Sequence, residues 1–295
     1  MEKLMVSTQP KSLVIRSNDL HKIAVVLPVY ATSQGYARMV VEAVDALSQQ
    51  TRQPDLVLVV DDFSPVPLPE SIARTVSNGR DSRTTEIRVL KLPYNCGPAA
   101  ARNEGLVTAK REGASLVLFL DSDCLPDRSW VEAMEETQIQ SPGIVCGRTL
   151  SFEKGSVVGF YHDVCGTLNG RVFQDSTVLY GCTCNLSIDT SKVGFYFDTT
   201  FRRAAFEDVE FCVRARKKDI KLTYTSKAVM KHRYEPGWWG LFRQFQRYGS
   251  FEKQMCLKHP EYLGWLWSSE SIPSIQFDYH GAKTVLISGM WDKAH

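Results

Sequence analysis

The sequence predicts an α/β fold in which a Rossmann-like, mostly parallel central sheet is flanked by helices. Three observations support this prediction: short unbroken apolar runs, helical spacing of apolar residues between them, and polar clusters directly after them. Such runs are typical of strands covered on both faces. Strands that alternate with helices imply parallel strands joined by right-handed crossovers. The first half of the chain therefore has the pattern of a nucleotide-binding α/β unit.

The elements follow in order along the chain. Four buried strands are predicted at Ile23–Val29, 56–60, 87–90 and 116–120, with helices over 36–50 and 99–111. Beyond Pro142 the pattern loosens, with short strands at 144–146 and 179–180, a β-prone run at 222–225 and an extended segment at 229–234. A helix is predicted to start near Glu207, because the acidic-to-basic charge order there complements a helix dipole.

Length and composition limit the class of protein to which this chain can belong. The 295 residues, with 43% hydrophobic and 23% charged residues, are typical of one large α/β domain with an appendage. A formal net charge of +2 predicts no bulk attraction to nucleic acid. The chain lacks a run of about 20 apolar residues and a signal-peptide core. Its eight cysteines are scattered, which suits a reducing compartment. We therefore expect a cytoplasmic protein, and the one close pair, Cys182 and Cys184, does not predict a zinc site.

Polar residues cluster where the predicted strands end. Asp61 and Asp62 follow the second strand, Asn95 the third, and the segment 121–123 (Asp-Ser-Asp) the fourth. Because ligands gather at the carboxyl ends of the strands in open α/β sheets, we expect these side chains to line one crevice. Close carboxylates repel unless a cation joins them, and oxygen ligands favour Mg²⁺ or Mn²⁺. The alternative is that these residues only end strands in solvated turns.

The ordered motifs together resemble glycosyltransferase family 2. They are Pro28-Val29-Tyr30, Asp61-Asp62-Phe63-Ser64, Asn95 and Gly97 with Ala101-Arg102-Asn103, Asp121 and Asp123, Glu207-Asp208, and His232. The resemblance implies a GT-A fold that binds a nucleotide-diphosphate sugar and a divalent metal and transfers the sugar with inversion. It divides the chain into a leader (1–21), a catalytic domain (22–235) and a helical, aromatic C-terminal extension (236–295). Within the catalytic domain, 22–125 would bind the nucleotide and 126–235 the acceptor.

The resemblance assigns the nucleotide site first. Pro28, Val29 and Tyr30 would lie near the base, and Asp62 would accept a hydrogen bond from the base imide N–H, whereas Asp61 orders the turn. Uracil and thymine carry this donor, as does guanine at N1–H, and the expected donor sugar is linked to UDP. The alternative for Tyr30 is a half-buried core tyrosine.

The resemblance also assigns the phosphate and metal site. Asn95 and Ser122 are placed in the donor site, and Arg102 would reach base or phosphate oxygens unless it is a plain surface residue. Asp121 would contact ribose and metal-bound water, and Asp123 would ligate Mn²⁺ or Mg²⁺ directly. His232 would be a further metal ligand or a phosphate contact, with a purely structural histidine as the alternative.

The reaction requires a base opposite the diphosphate. The resemblance makes Asp208 that base and leaves Glu207 to orient the base or the acceptor. The alternative is that both carboxylates only cap a helix. Relatives often have Gly-Gly-Phe-Asp where this chain has the segment 194–198, so the local acceptor geometry is not predicted.

The expected partners are a nucleotide-diphosphate sugar and a glycan or lipid-linked acceptor. The region from Trp238 to Tyr248 has paired tryptophans with interleaved arginine, as in a helix that lies on a membrane surface or packs on the core. Packing on the core is favoured; membrane contact would be peripheral, at the inner face. The final segment would complete an acceptor cleft or mediate homo-oligomerisation. Two rival functions remain: a nucleotide-sugar binder without turnover, and a nucleotidyltransferase, which the lack of a Gly-rich loop after the first strand disfavours.

Overall fold

The structure is a computed structural model that describes residues 21–76, 84–170, 172, 178–235 and 237–267. Within these residues it has nine strands and seven α-helices. The strands are β1 (Ile23–Val29), β2 (Leu56–Asp61), β3 (Arg74–Val76), β4 (Thr85–Lys91), β5 (Leu116–Phe119), β6 (Cys124–Pro126), β7 (Ile144–Ser151), β8 (Leu186–Asp189) and β9 (Leu222–His232). The helices are α1 (Gln34–Ser48), α2 (Pro98–Arg111), α3 (Trp130–Gln140), α4 (Val157–Cys165), α5 (Glu207–Arg216), α6 (Gly237–Lys258) and α7 (Glu261–Trp267).

One sheet joins all of these strands, in the order β3-β4-β2-β1-β5-β8-β7-β9-β6. The four predicted strands are confirmed as the parallel group β4-β2-β1-β5. Their side chains are almost all buried in β1, β2 and β5, because helices cover both faces. The parallel register sets the carboxyl ends of these strands side by side, with Val29 opposite Asp61.

Two core layers, one on each face, hold the helices to this sheet. On one face α1 packs Val40, Val44 and Leu47 against β1 and β2. On the other face α2 and α5 pack against the same strands. The approach of α2 is close: a Cβ at Gly105 would lie 2.4 Å from Val26 Cγ1, so only glycine fits there without a shift.

The second half of the sheet is mixed, and here the sequence predicted less. Strands β3, β6 and β8 were not predicted, because strands of three or four residues carry too short a periodicity. Helices α3 and α4 were not predicted either. The prediction of a strand at 179–180 is wrong, since these residues lie outside the strands. The run at 222–225 and the first four residues of the run at 229–234 belong to the single strand β9, which ends at His232. It pairs in parallel with β7, with an irregularity between Cys146 and Arg148.

Helix α6 departs most from expectation. Packing of its amino-terminal half on the core was favoured, but only Gly240 and Met255 of the helix are buried. Trp238 and Trp239 are 66% and 76% exposed. No helix among the described residues has the length and apolar character that crossing a bilayer requires. The predicted leader, apart from residue 21, and the residues after 267 lie outside the described ranges, and the proposed domain boundaries stay a prediction.

Candidate active site

The predicted site residues meet at the carboxyl edge of the parallel strands. Tyr30 follows β1, Asp61 ends β2 and is followed by Asp62, and Asp121 comes just after β5. The edge is extended by β6, whose first residue Cys124 pairs with His232 of β9 in an antiparallel register. Helix α5 begins at Glu207, so its amino terminus contributes to the same crevice.

The two carboxylates after β2 organise the nucleotide corner. Asp61 Oδ1 accepts a hydrogen bond from the backbone N–H of Ser64 at 2.9 Å, which confirms its predicted role in the turn. Both carboxylate oxygens of Asp62 accept backbone N–H bonds, from Cys96 at 2.7 Å and from Gly97 at 2.9 Å. Asp62 is 4% exposed, and burial raises the pKa of its carboxyl despite these bonds. Asp62 therefore holds the turn after β4, and its contact with a base stays a prediction.

The turn that Asp62 holds requires glycine at one position. Gly97 has φ of +88°, and a Cβ there would lie 2.6 Å from the Arg202 carbonyl oxygen. Asn95 beside it is exposed and donates to the Asp62 carbonyl oxygen at 3.3 Å. Asn95 thus lies in the turn after β4 with its amide bonded to that backbone carbonyl, and its place in the donor site stays a prediction.

The motif after β1 divides into buried and exposed residues. Val29 is 2% exposed and belongs to the core, so its side chain offers no surface to a base. Only the Val29 backbone and the partly exposed Pro28 border the crevice. Tyr30 is 48% exposed, so its ring is the one in this motif that a ligand can reach. The alternative of a half-buried tyrosine at a strand end is compatible with this exposure, so the contact of Tyr30 with a base stays a prediction.

Arg102 is the central cation of the site rather than a surface residue. It is 2% exposed on α2, and its guanidinium donates to Asp121 Oδ1 and to Glu207 Oε1, each at 2.7 Å. Burial lowers its pKa, but the carboxylates of Asp121, Glu207 and Asp208 raise it above the ordinary value. Arg102 therefore links Asp121, which lies just beyond the end of β5, to Glu207 at the start of α5.

The start of α5 presents two carboxylates in different environments. The residue before it, Phe206, has a left-handed φ of 65°, a costly conformation for a bulky side chain that recurs at functional sites. Glu207 is 3% exposed, and burial together with Asp208 raises the pKa of Glu207 to about 7, although Arg102 opposes the rise.

Asp208 is the more accessible of these two carboxylates. It is partly exposed, and its Oδ2 accepts from the backbone N–H of Thr183 at 3.3 Å. Burial raises the pKa of Asp208, and Arg102 opposes this rise. The pair thus consists of a buried carboxylate fixed by arginine and an accessible one held by a backbone donor, and the roles of base and orienting residue stay a prediction.

A set of side chains that can bind a metal lies at the start of β6, including the residue just before it, and at the end of β9. Asp123 Oδ1 is 3.5 Å from His232 Nε2 and 3.7 Å from Cys124 Sγ, and one ligand atom from each residue lies within 4.8 Å of the others. His232 Nδ1 has no hydrogen-bond partner among the described residues. Burial raises the pKa of Asp123, and His232 opposes the rise.

These donors fit a divalent cation, but the ligand set differs from the predicted one. Asp123 and His232 lie together as predicted, whereas Asp121 is paired with Arg102 and is not part of this cluster. Ser122 lies between the two aspartates and is partly exposed. The sequence did not indicate Cys124 as a possible ligand. Its neighbour Asp123 was predicted, but His232 lies far along the chain, so no spacing motif links Cys124 with His232.

Two segments around the site are held by residues whose role the sequence did not indicate. The Asn103 side chain donates through Nδ2 to the Phe197 carbonyl oxygen at 2.9 Å and accepts through Oδ1 from the Phe197 N–H at 2.8 Å, so it anchors the 194–198 segment. Phe195 and Phe197 pack against Phe211 of α5, which explains how bulky residues replace a glycine there. His162 of α4 stacks on Tyr234 at 3.8 Å, next to His232.

Comparison with known proteins agrees with this geometry. The family described as Glycosyl transferase family 2 matches residues 24–194, more than half of the chain. The pre-mycofactocin glycosyltransferase of Mycobacterium tuberculosis, strains CDC 1551 / Oshkosh and H37Rv, is 28% identical over 250 residues, 81% of this chain and 48% of the relative. The succinoglycan biosynthesis protein ExoW of Rhizobium meliloti, strain 1021, is 37% identical over 102 residues, 35% of this chain and 29% of that protein. The chain thus spans about half the length, or less, of the curated relatives that it matches.

Solved structures show the same fold. TarS residues 1–349 from S. aureus in complex with UDP superposes with a TM-score of 0.54 at 19% identity, over 73% of this chain and 61% of that one. The complex of the same protein with UDP-GlcNAc gives 0.55 at 18% identity, over 74% of this chain and 60% of that one. At this identity the likeness establishes the GT-A-type fold and nothing finer.

Proposed function

Because the chain belongs to glycosyltransferase family 2, we propose that it transfers a sugar with inversion from a UDP-linked donor to a hydroxyl of a glycan or glycolipid acceptor. The observation that carries this proposal is the arrangement around Arg102, which pairs with Asp121 beyond the end of β5 and with Glu207 at the start of α5, next to Asp208. That arrangement brings a donor-side carboxylate and a candidate base to one crevice, as a displacement reaction requires.

The proposed reaction assigns the base to Asp208. The acceptor hydroxyl oxygen forms a bond to the anomeric carbon while the bond from that carbon to the diphosphate oxygen breaks, and the hydroxyl proton passes to Asp208. A carboxylate serves as this base because the hydroxyl becomes acidic as the new bond forms. Glu207, which is buried and bonded to Arg102, orients Asp208 or the acceptor. A binder without turnover would have no use for the accessible carboxylate.

The donor end is proposed from the nucleotide corner and from the comparison. Tyr30 is exposed enough to face a base, and the turn held by Asp62 lies next to it in the crevice. Asp123 and His232 would hold Mg²⁺ or Mn²⁺, which when bound neutralises charge on the leaving diphosphate. UDP is favoured as the nucleotide because the related fold of TarS binds UDP and UDP-GlcNAc. The name of one curated relative, a succinoglycan biosynthesis protein, supports an acceptor of the glycan class.

Calorimetric titration with UDP in the presence of Mn²⁺ tests the donor and metal assignment. We expect the wild-type protein to bind one UDP only when Mn²⁺ is present, and Asp123→Ala to lose this binding. A matched control is Asp45→Ala, a half-exposed carboxylate of α1 that pairs with Arg74 away from the crevice. Equal binding by the Asp123→Ala and Asp45→Ala proteins would overturn the metal assignment.

We also propose a peripheral membrane contact through an aromatic surface on α6 and α4. This surface consists of Trp238, Trp239, Phe242, Phe160 and Val157, each 59–76% exposed. The two helices are joined by an edge-to-face contact between Tyr161 and Phe245. Exposed tryptophan and phenylalanine beside a cationic residue such as Arg243, 68% exposed on its side chain, are typical of a surface that enters the lipid headgroup region.

Vesicle co-sedimentation tests this contact. Wild type should sediment with vesicles that contain anionic lipid, and the double variant Trp238→Ser/Trp239→Ser should remain in the supernatant. The control is Leu257→Ser, which removes an apolar side chain of the same helix that is 75% exposed but lies at its other end. Wild-type protein that stays in the supernatant would refute the membrane contact. Elution as a dimer that depends on the two tryptophans would indicate that the surface mediates self-association instead.

A further inference from the structure

His259 lies at the junction of helices α6 and α7 and connects both of them to helix α5. Its backbone N–H donates to the Met255 carbonyl oxygen at 2.8 Å, and its own carbonyl oxygen accepts from the Tyr262 N–H at 3.0 Å. Its side chain is only 7% exposed. The imidazole therefore has a fixed place in the contact between the C-terminal helices and α5.

Both ring nitrogens of His259 have partners on α5 or on the residue that follows it. Nε2 lies 3.2 Å from Glu210 Oε1, and Nδ1 lies 2.9 Å from Lys217 Nζ. Because a lysine ammonium group only donates, Nδ1 accepts from Lys217, and the ring hydrogen on Nε2 is donated to Glu210. Lys217 also pairs with Glu261 of α7. The imidazole is thus bonded to both ends of the surface that α5 presents to α6 and α7.

Glu210 carries this contact to the start of α5. Its side chain is fully buried, and both carboxylate oxygens accept from Arg214 Nε, at 2.7 and 2.9 Å, while Oε1 also accepts from His259. The Glu210 backbone N–H donates to the Phe206 carbonyl oxygen at 2.9 Å, which closes the first turn of the helix. Asp208 lies within this turn. Fixing Glu210 therefore fixes the backbone that carries Asp208.

Apolar packing holds the same part of α5 against the C-terminal helices. Val209 lies in one buried cluster with Met255 of α6 and Tyr262 of α7. The ring of Phe206 meets Tyr248 of α6 edge to face, with the ring centroids 6.4 Å apart. Phe206 is the residue with the left-handed φ, and such a conformation persists only where the surroundings fix it. Helices α6 and α7 thus hold the start of α5 from two sides.

We propose that His259 is a positioning residue for sugar transfer, which holds the first turn of α5 through Glu210 and so keeps Asp208 directed at the acceptor hydroxyl. This inference rests on the proposed function, since it takes Asp208 as the base. A base must lie within hydrogen-bond reach of the proton that it removes. A displacement of about 1 Å, caused by a change far from the reacting atoms, can slow a reaction by about 10²-fold.

The substitution His259→Leu removes both ring hydrogen bonds and keeps an apolar side chain. We expect kcat for the release of UDP from a UDP-linked sugar to fall by about 10–10²-fold, with KM for the donor and the affinity for UDP unchanged. His259→Gln should recover most of this loss, because its amide can donate to Glu210 as the imidazole does. The control Val40→Ala opens a cavity under α1, on the other face of the sheet, and should lower stability but not kcat.

A double variant shows whether His259 acts through Asp208. In the Asp208→Asn background, His259→Leu should change the rate of UDP release by less than about twofold, since the base that it positions is already absent. An equal fall in both backgrounds, or an unchanged kcat in His259→Leu alone, would overturn the proposal. Circular dichroism checks the fold of each variant. If His259→Leu does not fold, His259→Asn replaces it, because the shorter amide does not reach Glu210.

Amide hydrogen exchange provides a readout that does not depend on activity. Exchange at the Glu210 N–H should be faster in His259→Leu than in the wild-type protein, whereas exchange in α2 should stay the same. Unchanged exchange at Glu210 would overturn the proposal even if the rate of UDP release falls. A wild-type protein that releases UDP from no donor would instead refute the proposed function, and the exchange result would then decide alone whether His259 fixes the start of α5.

Discussion

Replacing Arg102 with methionine removes the guanidinium that joins Asp121 to Glu207. Methionine keeps most of the apolar length of the side chain, so the change is mainly the loss of the charge and of two charge-assisted hydrogen bonds of 2.7 Å. Glu207 then has no cation beside it, although it is only 3% exposed. At a pH where Glu207 is ionised, removing its cation leaves a buried charge uncompensated, and the loss of one partner of such a pair costs about 3–5 kcal/mol of the free energy of unfolding.

The cost of this substitution should depend on pH in a defined direction. In the wild-type protein the pKa of Glu207 is about 7, above its ordinary 4.5, so the folded state binds an extra proton between these values and stability falls as pH rises through them. Above pH 7 the wild-type dependence on this group ends, because Glu207 is then ionised in both states. Without Arg102 its pKa rises further, so the variant keeps losing stability above pH 7, by about 1.4 kcal/mol per pH unit.

Urea denaturation at pH 6 and at pH 8.5 measures this difference. The stability gap between wild type and Arg102→Met should be about 2 kcal/mol wider at the higher pH. Arg88→Met is the matched control, since Arg88 pairs with the half-exposed Glu86 at the surface of β4 and its loss should change little at either pH. A gap for Arg102→Met that does not widen with pH would refute the view that Arg102 sets the charge of Glu207.

Three further substitutions test how the crevice is built. Asp62→Ala should lower the free energy of unfolding by about 2–4 kcal/mol, because two backbone N–H groups of the turn after β4 lose their acceptor; urea denaturation that shows no loss would contradict this. Gly105→Ala should cost about 1–3 kcal/mol although alanine favours helices, because its Cβ would meet Val26 at 2.4 Å; a raised melting temperature would show that α2 can move. Asn103→Ala should free the backbone of Phe197, and faster amide hydrogen exchange there, with α2 unchanged, is the expected signal.

The sequence predicted the nucleotide half of this fold well and the rest poorly. The parallel strands were found because each is a continuous apolar run covered on both faces, and β1 has the predicted bounds. Strands such as β6 and β8 have three or four residues and take their structure from pairing with distant partners, which no local period reveals. The aromatic face of α6 was placed on a helix correctly, but its exposure depends on tertiary packing.

The candidate site shows the same limit. The polar residues that follow the strands could be located from the sequence, because their position at strand ends is a local property. Their pairing is not local: Arg102 reaches across the crevice to Glu207, 105 positions along the chain, and Cys124 meets His232 only through the β6/β9 register. The sequence therefore indicated which strand-end residues lie near the crevice and left open which of them contact each other.

Release of UDP from a panel of UDP-linked sugars in the presence of Mn²⁺ is the most direct test of the central claim that Asp208 is the base for sugar transfer. Water can serve as the acceptor, so the assay needs no knowledge of the natural one. The wild-type protein should release UDP from at least one donor. Asp208→Asn should bind UDP with unchanged affinity and release it about 10²–10⁴-fold more slowly, because the attacking hydroxyl has lost its base. Equal rates for the two proteins would contradict the account.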